Sequence, residues 1–304
     1  MSHKTLKYLV KQKYPDAYII SVGVVKDILE REHNSSNLLL TTNNMEKIIN
    51  TVKTCDFWIY GAGTIMPFTL EISEKLFDAN KNFEIWGISC RSDVTNEKHK
   101  NMIKECRYIS VRDNISKNRL QIYHNKEIEV IKDPMFHHCI INNKTNGFNG
   151  ITISSNVELW TNGWATDEWR EKLYTILAKT MNEIGGKWLA IPASFQENNY
   201  DNDNVCHKKL KEYFPELEIY EPNNFNDVTK ILTELNCYLT SRLHTGVVSH
   251  GSNIPTVWFG MDKCLNLCET WGDKYKKLYA GHYTNVTKDD LISSYQYATT
   301  LLHN

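Results

Sequence analysis

The sequence predicts an α/β protein made of two Rossmann-like, doubly wound domains that face each other across a cleft. Short apolar runs with strand character alternate along the chain with amphipathic segments of helical period, which is typical of parallel sheets covered by helices on both faces. A length of 304 residues suits about two domains of ~100–200 residues each. The polar, glycine-containing segment NNKTNGFNG (142–150) is the predicted linker between them.

The first half of the chain is predicted to alternate strands and helices. A clear helical signal lies at 44–53, where apolar residues recur at i, i+3, i+4 and i+7. Pro67 is expected in the first turn of the helix after DFWIYGAGT, and that strand is expected to run into a turn at Gly61–Gly63. The predicted strands are 17–23, 56–64, 83–89, 107–113 and 128–134, and the predicted helices are 4–13, 44–53, 67–78, 96–106 and 114–123.

The second half repeats the alternation. A long helix over 167–184 is stopped by Gly185-Gly186, since glycine at a helix end adopts the left-handed conformation without strain. The predicted strands are 151–155, 187–194, 217–222, 237–239 and 255–259, and the other predicted helices are 203–214, 225–235, a short one after 242, and 286–303. We therefore expect domains over residues 1–145 and 146–304, with the terminal helix packing back on the first domain.

Composition excludes several classes of protein. The chain is 41% apolar and 23% charged, with a net charge of −1 and a pI near 6.8, so it has no basic footprint for nucleic acid. No apolar run approaches the ~20 residues that span a bilayer, and the N-terminus is too charged for a secretion signal. Eight cysteines without a disulfide-like pattern favour the cytoplasm, and no ligand spacing predicts a metal.

The segment LTSRLHTG (239–246) carries the strongest chemical signal. It reads as the end of a strand, a polar turn and the start of a helix, an arrangement that forms a natural anion site. Arg242 offers a planar fork that grips a carboxylate or phosphate through two bonds, and the free pKa of histidine near ~6.5 suits His244 to proton transfer. The alternatives are a structural salt bridge for Arg242 and a histidine bonded to backbone for His244.

Other residues are weaker candidates. Arg112 ends a predicted strand and is a second possible anion contact, although an Arg–Asp pair with the adjacent Asp113 would account for it equally well. Asp133 before Pro134 is read as fixing a turn. The remaining candidates for ligand contacts are Gly61, Gly63, Arg91 and Trp164. At the two glycines the backbone either approaches a ligand or makes a tight turn, and Arg91 follows a predicted strand end. Trp164 either stacks on a sugar or packs in the core.

The order of motifs resembles the polysaccharide pyruvyl transferase family. The residues that carry the resemblance are YGAGT (60–64), WGIS (86–89), ISVRDNIS (109–116), KDPMF (132–136) and SRLHTG…SHGSNIPTV (241–257). The resemblance covers roughly residues 45–260. One departure concerns the start of the chain. Family members usually begin with a strand and a Gly/Asn-Gly-Asp loop, whereas this chain is expected to begin at the helix that would follow, without that first strand.

The resemblance implies a GT-B-like arrangement of the two domains and a reaction. Pyruvate would move from phosphoenolpyruvate, the donor substrate, onto two hydroxyls of a glycan sugar to form a cyclic ketal, with no redox cofactor or catalytic metal. The second domain would bind the donor through Arg242, Leu243, His244 and Thr245, with Arg242 and His244 catalytic. Arg112 of the first domain would be a further donor contact, and the first domain would otherwise bind the acceptor. Two alternatives stay open at this stage, namely a GT-B glycosyltransferase that uses a nucleotide sugar and a non-catalytic carbohydrate-binding protein on the same fold.

Overall fold

A computed structural model of the chain describes residues 10–23, 38–41, 45–66, 71–90, 92–141, 145–159, 166–195 and 202–303. The chain divides into two compact units, Met1–Pro134 and Met135–Asn304. The division precedes the linker predicted at 142–150 because the residues after Pro134 already bond within the second unit. Ile140 N donates to Ser252 Oγ at 2.9 Å, and the ring of Phe136 lies 5.4 Å from that of Trp271.

The first unit contains a four-stranded parallel sheet and a separate pair of parallel strands. The order of the larger sheet is β3-β4-β5-β6, and β1 pairs with β2. The strands are β1 (Ile20–Gly23), β2 (Leu38–Thr41), β3 (Trp58–Met66), β4 (Phe83–Cys90), β5 (Ile109–Val111) and β6 (Glu129–Val130). The helices are α1 (Met45–Thr54), α2 (Glu71–Ala79), α3 (Glu97–Glu105) and α4 (Asn114–Gln121).

The core of the first unit forms where the predicted helical stripe meets the sheet. Every residue of β4 is buried, as expected for a central strand covered on both faces. Ile48 and Val52 of α1 are buried in the same cluster, and Phe83 stacks on Trp58 with ring centroids 4.8 Å apart.

The predicted turn at Gly61–Gly63 is wrong. Both glycines lie inside β3, where Gly61 pairs with Trp86 and Gly63 with Ile88 of β4. The strand continues because pairing with the fully buried β4 satisfies its backbone N–H and C=O groups, which outweighs the weak strand propensity of glycine.

The second unit is a six-stranded parallel sheet of the doubly wound kind. Its spatial order is β12-β11-β10-β7-β8-β9, which is 6-5-4-1-2-3 when its strands are counted from the start of the unit. The strand order therefore reverses between β7 and β10, and ligands of such sheets bind beyond the carboxyl ends of the strands at that switch point. The strands are β7 (Phe148–Thr152), β8 (Lys187–Ala190), β9 (Glu218–Ile219), β10 (Cys237–Thr240), β11 (Thr256–Gly260) and β12 (Tyr279–His282).

Helices connect these strands and cover the sheet. The helices are α5 (Asn156–Leu159), α6 (Asp167–Ile184), α7 (Asn204–Tyr213), α8 (Phe225–Leu232), α9 (Leu243–Gly251), α10 (Asp262–Trp271), α11 (Asp273–Lys276) and α12 (Lys288–His303), and a 3-10 helix spans Pro134–His138. The terminal helix α12 packs within the second unit against α6, β11 and β12. Its expected contact with the first domain stays a prediction. Among the described helices, none has the length and apolar character that crossing a membrane requires.

Helix α9 packs unusually close to the sheet. A Cβ atom added at Gly246 would overlap the indole ring of Trp258, which is fully buried in β11. The glycine is thus required by close approach, although it sits in a helix where it costs ~1 kcal/mol relative to alanine.

We predict that Gly246→Ala lowers the midpoint of thermal unfolding by several degrees, because overpacking a buried contact costs ~1–3 kcal/mol. The same substitution in a Trp258→Leu background should lower the midpoint by less, since leucine leaves room for the added Cβ atom. Equal costs in the two backgrounds would contradict the contact as the reason for the glycine.

Candidate functional site

The ends of β7 and β10 bring polar residues together at the switch point. Ser154 and Ser155 follow β7, and Ser241 and Arg242 follow β10. The backbone N–H of Ser154 donates to Ser241 Oγ at 2.8 Å, which ties the two turns directly to each other. The predicted turn at Arg242 therefore lies where a doubly wound sheet most often binds a ligand.

Arg242 occupies the N-cap position of α9. Its backbone is extended, its N–H donates to Thr240 Oγ1 at 2.9 Å, and its side chain makes no capping bond. A guanidinium cannot cap a helix start because it has donors and no acceptor. The N-terminus of α9 therefore presents its partial positive charge without the side-chain acceptor that Ser, Thr or Asp would provide, and this favours an anion.

The guanidinium of Arg242 is held by Asp203, a residue that the sequence analysis did not single out. Nε donates to both carboxylate oxygens at 3.2 Å, and Nη2 donates to Oδ1 at 2.5 Å and to Ser155 Oγ at 3.2 Å. The Asp203 side chain is fully buried, whereas 14% of the Arg242 side chain is exposed. The salt bridge considered for Arg242 is thus present, and its partner is a carboxylate 39 residues earlier in the chain.

The carboxylate of Asp203 also accepts three backbone N–H groups. Oδ1 accepts from Ser155 N at 2.9 Å, and Oδ2 accepts from Ala193 N at 2.9 Å and Ser194 N at 3.1 Å. The N–H donors belong to the segments after β7 and β8, while Arg242 follows β10. One buried carboxylate therefore fixes the ends of three neighbouring strands.

His207 completes the buried surroundings of this pair. Its Nε2 accepts from Ile153 N at 3.2 Å, and the side chain is fully buried. Burial lowers the pKa of His207 to about 4. The nearby negative charge of Asp203 raises this pKa, and the positive charge of Arg242 lowers it. The imidazole is therefore neutral at pH 7 and serves as a backbone acceptor.

The other candidates around Arg242 differ in accessibility. Leu243 is buried, and Thr245 is fully buried with its hydroxyl 3.3 Å from both Thr240 Oγ1 and Arg242 O. His244 lies in the first turn of α9 and is half-buried. Arg242 and His244 are thus the two members of the predicted donor set with partly exposed side chains.

Arg112 lies in the first unit at the carboxyl end of β5, as predicted, but its partner is not the neighbouring Asp113. Nη1 donates to Asp133 Oδ2 at 2.9 Å, and both side chains are almost completely buried. Nη2 donates to Ser89 Oγ at 3.0 Å. The alternative of a local Arg112–Asp113 pair is not the arrangement found, and Asp113 instead caps α4 by accepting from Ser116 N at 2.7 Å. Asp133 is a buried ion-pair partner as well as the residue before Pro134.

The weaker acceptor candidates are less informative. Gly61 and Gly63 lie in β3, and Arg91 and Trp164 fall outside the described residues. No disulfide joins any of the eight cysteines, all of which lie in the described ranges, and burial raises the pKa of Cys264 to about 12. Within the described ranges, no group of three or more His, Cys, Asp or Glu side chains could hold a metal ion.

Sequence reasoning missed Asp203, Ser155 and His207 because their roles depend on long-range contacts. Asp203 stands at the start of a helix, where an aspartate is normally read as a cap. Ser155 lay in a predicted strand, ITISS, whose last residues instead form the turn after β7. The topology could have suggested the pair. Asp203 lies in the connection after β8 and Arg242 in the connection after β10, and the carboxyl ends of parallel strands meet at the same edge of a sheet.

Comparison with solved structures confirms the predicted fold class. Over 100% of this chain and 84% of the other, it is similar to a protein from Listeria monocytogenes described as a UDP-N-acetylglucosamine 2-epimerase, with a TM-score of 0.61 and 10% identity. The S. aureus MnaA–UDP structure also gives 0.61, at 12% identity and the same coverage. The UDP-GlcNAc 2-epimerase from Neisseria meningitidis bound to UDP-GlcNAc gives 0.56 at 9% identity, over 99% of this chain and 90% of the other. These are GT-B fold enzymes, and the likeness shows the fold alone.

The predicted family membership is tested by comparing the sequence with models of protein families and with curated proteins. None of the curated proteins matches the chain. The family model for Polysaccharide pyruvyl transferase matches residues 1–263, which include the Arg-Asp strand end, the Asp-Pro segment and the Arg-Leu-His turn. The chain therefore belongs to the polysaccharide pyruvyl transferase family.

Proposed function

We propose that the protein transfers pyruvate from phosphoenolpyruvate onto two hydroxyls of a glycan sugar to form a cyclic ketal. The observation that carries the proposal is the Arg242–Leu243–His244 turn, which begins α9 at the switch point of the second unit in a chain of this family. A cation and an uncapped helix start meet there, and both favour a small anion.

The anionic groups of the donor suit the hydrogen-bond donors of this turn. Phosphoenolpyruvate carries about three negative charges, which must meet cations or backbone donors once water is removed. We assign its anionic groups to the guanidinium of Arg242 and to the N-terminus of α9. Because the guanidinium is clamped by a buried carboxylate, it presents a fixed direction to the donor and loses little side-chain entropy on binding.

The reaction balances without a redox step. The methylene carbon of the donor gains a proton, which gives an oxocarbenium-like centre at the adjacent carbon. Two sugar hydroxyls attack this carbon in turn and lose their protons, and the bond from the carbon to the phosphate oxygen breaks. One of the two protons offsets the one gained by the methylene group, and the other leaves with inorganic phosphate. We assign acid–base transfer to His244, a partly exposed residue in the first turn of α9, two positions after Arg242.

A nucleotide-sugar donor fits the turn after β7 less well. In dinucleotide-binding sheets the first βα turn binds a pyrophosphate through its backbone N–H groups. Here Ser154 N donates to Ser241 and Ser155 N to Asp203, so these donors are already used within the chain. This observation favours the smaller donor over the glycosyltransferase alternative.

The first test is incubation of the purified protein with phosphoenolpyruvate and a panel of hexose and N-acetylhexosamine glycosides. We expect one glycoside to gain the mass of pyruvate less water, with one phosphate released per sugar modified. Calorimetry with phosphoenolpyruvate and with UDP- and GDP-sugars serves as the comparison. Binding of a nucleotide sugar without binding of phosphoenolpyruvate would favour the glycosyltransferase, and sugar binding without phosphate release would favour a non-catalytic protein.

Substitution of the two candidate catalytic residues should separate binding from proton transfer. Arg242→Lys keeps a charge but loses the fork, and we expect kcat/KM for phosphoenolpyruvate to fall at least about 30-fold, since weakening a desolvated charge contact costs ~2–5 kcal/mol. His244→Gln should lower kcat by about 10²–10⁴ with a smaller change in KM. Phosphate release at the wild-type rate in either variant would remove that residue from the scheme.

The role of Arg112 as a donor contact stays a proposal, and its burial supplies a sharp test. If Arg112 acts structurally through Asp133, Arg112→Met should cost ~3–5 kcal/mol of unfolding free energy, and Arg112→Met with Asp133→Leu should recover part of it. Arg107→Met is the control, because that side chain is half exposed and its ion pair with Glu84 is long at 4.0 Å. Unchanged unfolding together with a raised KM for phosphoenolpyruvate would instead favour direct contact.

A further inference from the structure

Asp203 is placed as a helix cap but does not act as one. It is the N-cap residue of α7, yet its side chain makes no bond to the first turn of that helix. Asn202 takes part of this role by accepting from Asn204 N at 3.0 Å. The carboxylate of Asp203 is thus directed away from its own helix and towards residues that are distant in sequence.

The groups around the carboxylate have the composition of an anion-binding hole. Three backbone N–H groups converge on its two oxygens from Ser155, Ala193 and Ser194, and the guanidinium of Arg242 covers another side. Backbone donors together with an arginine are the means by which proteins bind external carboxylates and phosphates. Here the fully buried occupant is a carboxylate of the chain itself.

We propose that Asp203 is a tethered anion that fills this hole and acts as the positioning residue for Arg242. Its negative charge keeps the buried N–H groups and the guanidinium compensated, and its two oxygens fix the plane of the guanidinium through Nε and Nη2. Because the Asp203 carboxylate already occupies the hole, phosphoenolpyruvate would contact the exposed part of the Arg242 side chain. Only this statement about the donor rests on the proposed function.

The test removes the tether and supplies the anion from solution. Asp203→Gly deletes the carboxylate, and we expect a fall of at least about 5 °C in the midpoint of thermal unfolding. Sodium formate should raise this midpoint saturably over the millimolar range, whereas formamide, a neutral molecule of similar size, should not. Wild-type protein at matched ionic strength should show no such rise. Asp290→Gly is the control variant, because that aspartate caps α12 at an exposed position through Thr287 N and Oγ1.

The outcomes are distinct and need no substrate. Equal effects of formate on Asp203→Gly, Asp290→Gly and wild type would overturn the proposal, as would equal rescue by formate and formamide. If Asp203→Gly folds in neither additive, the proposal is tested with Asp203→Asn. This substitution conserves the side-chain volume but places an NH2 group opposite the N–H donors that the second carboxylate oxygen had accepted. We expect it to lower the midpoint, and an unchanged midpoint would overturn the proposal.

A kinetic arm then addresses positioning. In Asp203→Asn we expect kcat/KM for phosphoenolpyruvate to fall at least tenfold, and in Asp203→Gly formate should restore part of it at the concentrations that restore stability. Rescue of stability without rescue of kcat/KM would support Asp203 as the anion that fills the hole but would reject its role in positioning Arg242. If wild-type protein does not turn over phosphoenolpyruvate, the proposed function fails, while the formate result still stands or falls by itself.

Discussion

The Asp203–Arg242 ion pair joins strand ends that would otherwise be separate loops. It sets a fully buried carboxylate against a guanidinium that is mostly buried, and the two charges compensate each other. The carboxylate accepts N–H groups from the turns after β7 and β8, and the guanidinium comes from the turn after β10. A buried ion pair contributes little net stability over an apolar substitute, but removal of one partner is costly. The pair therefore fixes the geometry of the switch point more than it adds to the free energy of folding.

That geometry explains how an ordinary doubly wound sheet can host a particular chemistry. Proteins that share a fold need not share a substrate, because function depends on the residues placed at the site. In this chain the backbone donors of the turn after β7 bind its own Ser241 and Asp203. These contacts involve a few residues at the carboxyl edge of the sheet.

The sequence predicted the features that depend on local pattern. The helix at 44–53 was found within one residue as α1, and the turn at Arg242 was placed correctly at the end of a strand, because apolar periodicity and turn composition are local signals. The partners of the arginines were not predictable in this way. Arg242 meets Asp203 from 39 residues away, and Arg112 meets Asp133 rather than the adjacent Asp113. The continuation of β3 through Gly61 and Gly63 likewise depends on a neighbouring strand, β4.

The central claim, that Asp203 and Arg242 act as one unit, is tested most directly by a double-mutant cycle on unfolding free energy. The cycle compares Asp203→Asn, Arg242→Gln and the double variant by chemical denaturation. We predict that the double variant is less destabilised than the sum of the single variants by ~2 kcal/mol or more, within the range found for directly bonded pairs. Additivity within ~0.5 kcal/mol would contradict the claim, since residues that do not interact show independent effects.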